Sequence, residues 1–154
     1  MHWRLEKYAA DNTTSMESVQ EFIKNHPLIE NLGLIQCTSP FIKPQYLKHA
    51  KKRLSWSNCV FAAVRSFKLR WKHDQNSNRI QPINFNLTKR PRRQDWDGEL
   101  LETGMFYFTK RKLLQQQIFQ DDKCSIVEIP QEHSMEIDKP FDLEMARFID
   151  QMKY

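Results

Sequence analysis

The chain has 154 residues, 40% of them apolar and 12% aromatic, enough to enclose one packed core and too aromatic for a disordered chain. No run approaches ~18 consecutive apolar residues, so no helical membrane span is expected. Lys and Arg outnumber Asp and Glu by 24 to 19, and the net charge of +5 favours an acidic partner: nucleotide, nucleic acid or anionic sugar.

Residues 1–11 mix charges with single aromatics and lack the apolar centre of a signal peptide. Thr14 and Glu17 have the form of a capping box, and Met16, Val19, Phe22 and Ile23 follow at helical spacing. A helix is predicted from about Thr14 to Asn25, stopped before Pro27. Leu32 to Gln36 reads as a buried strand that ends in the polar run Cys37-Thr38-Ser39-Pro40. Residues 44–54 begin with proline and carry a basic outer face, as a helix would. Asn58 to Val64 reads as a second buried strand. A polar excursion covers about 65–101, with a hairpin turn at 74–78 and the basic run Lys89-Arg90-Pro91-Arg92-Arg93. Beyond it we expect a strand at Met105–Phe108, a helix at Lys110–Phe119 and a strand at Cys124–Ile129. A last helix at Phe141–Met152 would carry Phe141, Met145, Phe148, Ile149 and Met152 on one face.

Alternation of strands and helices implies a mainly parallel sheet covered by helices, in an α/β domain spanning 1–154. Ligands of such sheets sit beyond the C-terminal ends of strands, which draws attention to Gln36. Cys37, Cys59 and Cys124 are an odd, widely separated set; they argue against a disulfide framework and for a reducing compartment. The five histidines are scattered, without zinc spacing. Only Gly33, Gly98 and Gly104 occur, so no glycine-rich loop is available to wrap a triphosphate.

Several segments, in order, resemble one family. Gln36-Cys37-Thr38-Ser39-Pro40 is similar to the Gln-x-Thr-Ser-Pro motif of the acylneuraminate cytidylyltransferases. Lys89 to Leu100 and Glu102-Thr103-Gly104-Met105-Phe106-Tyr107-Phe108 resemble the animal members, which usually have Asn at the position of Thr103. His133-Ser134-Met135-Glu136-Ile137-Asp138 resembles the family's metal-carrying acidic strand end, and Phe67 to Trp71 its Phe-Arg-Trp stretch.

The resemblance implies a Rossmann-like three-layer nucleotide-sugar transferase fold. It implies a magnesium-dependent reaction joining CTP to an acidic nine-carbon sugar such as sialic acid, with release of diphosphate. Arg92 would be the essential arginine. Arg4, Thr13, Ser15, Gln36, Arg93 and Gln94 would contact substrate or nucleotide. Glu136 and Asp138 would hold Mg2+, with Glu136 standing where the family has Asp. Arginine forks suit carboxylates and phosphates, and Mg2+ takes one or two protein carboxylates alongside phosphate oxygens and water. Family members dimerise through the excursion, so a homo-oligomer, dimer or tetramer, is expected.

The family begins with a strand and an Arg-x-Gly-Ser-Lys loop that this sequence does not contain. The reading is therefore of a chain incomplete at its N-terminus and inactive alone. Plainer readings stand beside these. The basic cluster has the form of a solvated loop or nuclear-import signal, Thr13 and Ser15 of helix caps, and Trp71 and Trp96 of packing residues. A nucleus or cytoplasm location follows from the cluster, or the secretory pathway if a leader precedes Met1. The alternatives in function are a non-catalytic regulatory partner of an intact synthase and a basic nucleic-acid-binding module. No known nucleic-acid-binding motif occurs, and nucleic acid is not the expected partner.

Overall fold

The computed structural model describes residues 1–152. Helix α1 (Ser15–Asn25) is capped by Thr14: its hydroxyl accepts from the Glu17 N–H, and Glu17 returns the bond to the Thr14 N–H at 2.7 Å. Strand β1 (Asn31–Ile35), helix α2 (Pro44–Leu54) and strand β2 (Cys59–Ser66) follow. The excursion folds as a separate hairpin, β3 (Trp71–Asp74) with β4 (Arg79–Pro82), turned at residues 75–78 where Asn78 adopts φ 52°. Then come β5 (Glu99–Lys110), α3 (Arg111–Leu114), β6 (Cys124–Glu128) and α4 (Pro140–Gln151).

Among the described residues the main sheet has the order β1-β5-β2-β6. β1, β2 and β6 run one way and β5 runs against them, so the sheet is mixed with three of its four strands codirectional. The reversal follows from the excursion. The chain leaves β2 at Ser66 and re-enters at Glu99, which pair directly, so the excursion is one long connection between antiparallel neighbours.

Helices cover both faces of this sheet. Tyr46, Ala50 and Leu54 of α2 pack on Val60, Ala62, Met105, Phe106, Val127 and Ile129. Val19 and Ile23 of α1 pack on Leu32 and Leu114. Pleat alternation explains the division: Leu32 and Leu34 point to α1, while a Cβ on Gly33 would press the Phe108 ring on the other face.

Four expectations need correcting. β1 is not buried throughout; only Leu32 is, because among the described residues β1 has a ladder neighbour on one side only. β5 is far longer than Met105–Phe108, since pairing with β2 carries it back to Glu99. The helix predicted to Phe119 stops at Leu114, after which Gln117 takes φ 59° and turns the chain. Finally, Cys59 and Cys124 form a disulfide. They are 65 residues apart in sequence, but the parallel β2–β6 register sets them side by side. The helix α4 keeps its predicted span, yet Phe141, Phe148 and Met152 of its apolar face are exposed and only Ala146 is buried.

Closing a loop of this length in the unfolded chain stabilises the fold by about 4 kcal/mol in the chain-entropy treatment. Reduction with dithiothreitol should therefore lower Tm by roughly 8–16 °C, followed by circular dichroism. An unchanged Tm would mean that the bond adds nothing to the native fold.

Candidate functional site

The site is built around a bend in β5. Leu100 to Glu102 pair with Arg65 to Ala63, and Tyr107 to Thr109 pair with Phe61 to Cys59, with a register shift between Phe61 and Ala63. The residues between form a bulge. Gly104 sits in it at φ 68°, a left-handed conformation natural to glycine. Buried Thr103 secures the bend by donating its hydroxyl to the Ala62 carbonyl at 3.3 Å.

The bend brings three chain segments together. Gln36, just past β1, is tied to β5 by its N–H donating to the Met105 carbonyl at 3.2 Å. A Cβ on Gly104 would lie 2.8 Å from both the Gln36 side-chain end and a Glu136 carboxylate oxygen. With its amide nitrogen turned inward, Gln36 donates to the Gly104 carbonyl at 2.7 Å and to Glu136 Oε1 at 3.1 Å. Thr38 donates to the same Glu136 oxygen at 3.2 Å. The Glu136 segment is held by the Ile137 N–H donating to the Thr38 carbonyl at 2.9 Å, and further back by buried His133 against the Tyr46 hydroxyl at 2.5 Å.

Glu102 adds a second carboxylate beside this point. It accepts from the Tyr107 hydroxyl and from Gln120 Nε2 at 2.8 Å. Burial, then the bond to Glu102 and the nearby charges of Glu102 and Glu136, push the Tyr107 phenol upward, so it stays protonated and donates. Thr38, Glu102, Gly104 and Tyr107 were not named as site residues from sequence. Three of them lie in the Glu102–Phe108 motif, whose resemblance was the available signal.

The other sequence-predicted residues lie apart. Segment 134–139 forms no strand, so Glu136 and Asp138 are not neighbours on a sheet face. Glu136 is half-buried against Gln36. Asp138 is exposed, its N–H donating to Asp142 at 3.1 Å. Arg92 grips Asp95 through two 3.0 Å bonds, its side chain 79% exposed. Arg93 stacks over the Phe67 ring at 4.7 Å, and Gln94 is exposed in the same turn. Arg4 donates to Ser18 at 3.2 Å, Thr13 to the Lys7 carbonyl at 3.2 Å, and exposed Ser15 opens α1. Thr14, between the last two, is the actual cap. Among the described residues, no hydrogen bond or ion pair joins Arg4, Thr13, Ser15 or Arg92 to Gln36, Glu136 or Asp138. The two tryptophans pack, Trp71 edge-on to Phe85 and Trp96 edge-on to Phe67.

The excursion is fastened at its base. Arg70 holds Glu99 at 2.7 and 2.8 Å, and Asn84 Nδ2 donates to Glu99 at 2.8 Å. The Arg70 bonds, ahead of Asn84, hold the Glu99 carboxyl below its ordinary 4.5.

No family model matches the chain. Sequence relatives are clear, however. N-acylneuraminate cytidylyltransferase A of Danio rerio is 35% identical over 150 residues, covering 95% of this chain and 35% of the relative. Form B of the same fish is 34% identical, with 36% of its length covered, and the Oncorhynchus mykiss protein 34% identical, with 34% covered. The chain is a homologue of the N-acylneuraminate cytidylyltransferases. It spans about a third of the length of these relatives. Among solved structures, 4-diphosphocytidyl-2C-methyl-D-erythritol synthase from Anaerococcus prevotii superposes with TM-score 0.65 at 16% identity, over 91% of this chain and 68% of that one. This likeness shows the fold alone: an α/β domain of the same architecture, with the Gln36–Gly104–Glu136 bend at the C-terminal end of β1.

Two outcomes test the geometry. Gly104→Ala should destabilise by about 1–2 kcal/mol from the left-handed backbone alone, with more from displacing Gln36 and Glu136, in urea unfolding. Glu99, with a depressed pKa, stabilises the hairpin base fully above 4.5 and loses that contribution as pH falls through its lower folded value. Amide exchange at residues 71–82 should accelerate over that acid window, once corrected for intrinsic exchange rates. Glu99→Gln should show the faster exchange already at pH 7.

Proposed function

We propose that the chain forms the sugar-side part of a CMP-sialic acid synthase site, for the reaction of CTP with sialic acid to give CMP-sialic acid and diphosphate. The observation that carries this is the meeting of Gln36, Gly104 and Glu136 at the sheet's C-terminal edge, in a homologue of cytidylyltransferases. In this reading Gln36 offers its amide to the sugar, and Thr38 and Tyr107 keep the carboxylates around it oriented. Arg92, Arg93 and Gln94 belong to an exposed loop that in a dimer reaches the neighbouring subunit's site, where guanidinium forks grip the sugar carboxylate or a phosphate. Arg4, Thr13 and Ser15 lie on the nucleotide side.

The donor set suits a hard cation. Glu136 Oε2 and the Asp138 carboxylate accept no hydrogen bond among the described residues, and carboxylate oxygens are what Mg2+ takes. Glu136 and Asp138 would hold the ion. When bound, it would offset the charge that builds on the α-phosphate and the leaving diphosphate. The chain's own part is positioning: the sugar hydroxyl attacks, and the protein aligns it.

A second reading, a non-catalytic partner of an intact synthase, is favoured by the exposed Trp71, Ile80, Ile83 and Leu87 of the excursion. For compartment, the exposed Lys89–Arg93 run suits nuclear import, so nucleus or cytoplasm is proposed, with the secretory pathway as the alternative.

The test is titration of CMP-sialic acid into the chain, with Gln36→Ala and Arg92→Ala beside it. Binding that weakens at least tenfold in each variant is expected, and no synthesis by the chain alone. Unaltered binding in both variants would remove the proposal. Mixed dimers with an intact synthase, lost in Ile80→Asp, would favour the partner reading.

A further inference from the structure

We propose that Cys59, Cys124 and Asp121 form a redox-gated site for one thiophilic divalent cation, closed as the disulfide and open once it is reduced. The three ligand atoms lie within 4.8 Å of one another. Tetrahedral zinc, with Zn–S near 2.3 Å and Zn–O near 2.1 Å, needs ligands about 3.5–4 Å apart, and this cluster reaches that by small rotations once the S–S bond is gone. Two thiolates select a soft or borderline ion such as Zn2+ over Mg2+, which separates this site from the carboxylates at Glu136 and Asp138.

The carboxylate is built into place. Asn58 Nδ2 donates to Asp121 Oδ2 at 2.6 Å, and the Lys123 N–H donates to Oδ1 at 2.9 Å. Oδ1 lies 3.4 Å from Cys59 Sγ, and the Asp121 N–H lies 3.3 Å from Cys124 Sγ. Cys59 is 1% exposed, while Cys124 and Asp121 are half-buried, so one side admits a reductant and a water as fourth ligand. The Asn58 amide, the Lys123 N–H and the Lys112 and Lys123 charges surround the Asp121 carboxylate. The same lysines offset the net negative charge of two thiolates and a carboxylate around a 2+ ion.

The chemistry balances. A low-molecular-weight dithiol gives two electrons and two protons, the S–S bond breaks, and the reductant becomes its own disulfide. The two thiols then release their protons as the metal binds. Oxidation by a low-molecular-weight disulfide reverses this and expels the ion. Either bond fastens the first rung of the β2–β6 ladder, so the strand that leads to His133 and Glu136 stays in place in both states.

The experiment titrates Co2+ and then Zn2+ into the full chain, reduced and under anaerobic conditions. One Co2+ per chain is expected, with a thiolate-to-cobalt charge-transfer band that Zn2+ abolishes. The chain oxidised with glutathione disulfide should bind none. Cys124→Ser should lose the band and Asp121→Asn weaken binding at least tenfold, while Cys37→Ser, at the exposed free cysteine, should bind normally. Zn2+ should also protect the half-buried Cys124, but not Cys37, from iodoacetamide in the unmutated reduced chain, a measurement that needs no variant to fold. No charge-transfer band, or alkylation of Cys124 unaffected by Zn2+, would overturn the proposal.

Discussion

The left-handed turn at Gly104 is the constraint on which the candidate site depends. A Cβ there would fall on the ends of Gln36 and Glu136 together, so the absence of a side chain is what lets those two residues meet. The turn also opens the β2–β5 ladder, and Thr103 closes the opening by bonding to Ala62. Thr103 is a small polar side chain in a buried position, and its single hydroxyl finds a carbonyl.

Around that point the molecule separates rigid from projecting parts. The sheet end is fixed by the buried contacts of α2 and β6 and by His133 on Tyr46. The excursion is fixed at its base, through Arg70, Asn84 and Glu99 and through Arg65 on Glu128, and presents its arginines to solvent. Arg92 and Arg93 are held by Asp95 and Phe67, partners within the excursion itself. Their cationic heads are therefore preorganised without being spent on the sheet end of the same chain.

The cysteine pair shows how differently one feature reads at two levels. Along the chain, three distant thiols argue for no cross-link. In the fold, a parallel ladder starts at Cys59 and Cys124 and sets their α-carbons 4.5 Å apart. Sequence separation is a poor guide here because the β2–β6 connection passes through the excursion, β5 and α3 before returning in register.

Much of the fold was legible in the residues themselves. The Thr14 capping box, Pro44 at a helix start, the apolar runs of β2 and β6 and the turn at 74–78 are local signals, each set by bonds or dihedrals within a few residues. The motif around Gln36 and the acidic residue Glu136 were legible too. What only the tertiary structure decided was register: the reversal of β5, its extension back to Glu99, the exposure of β1 and α4, the Cys59–Cys124 pairing and the convergence on Gly104. Those depend on which strand lies beside which, and that is set by long-range burial and ladder pairing, information that no local pattern in a single chain carries.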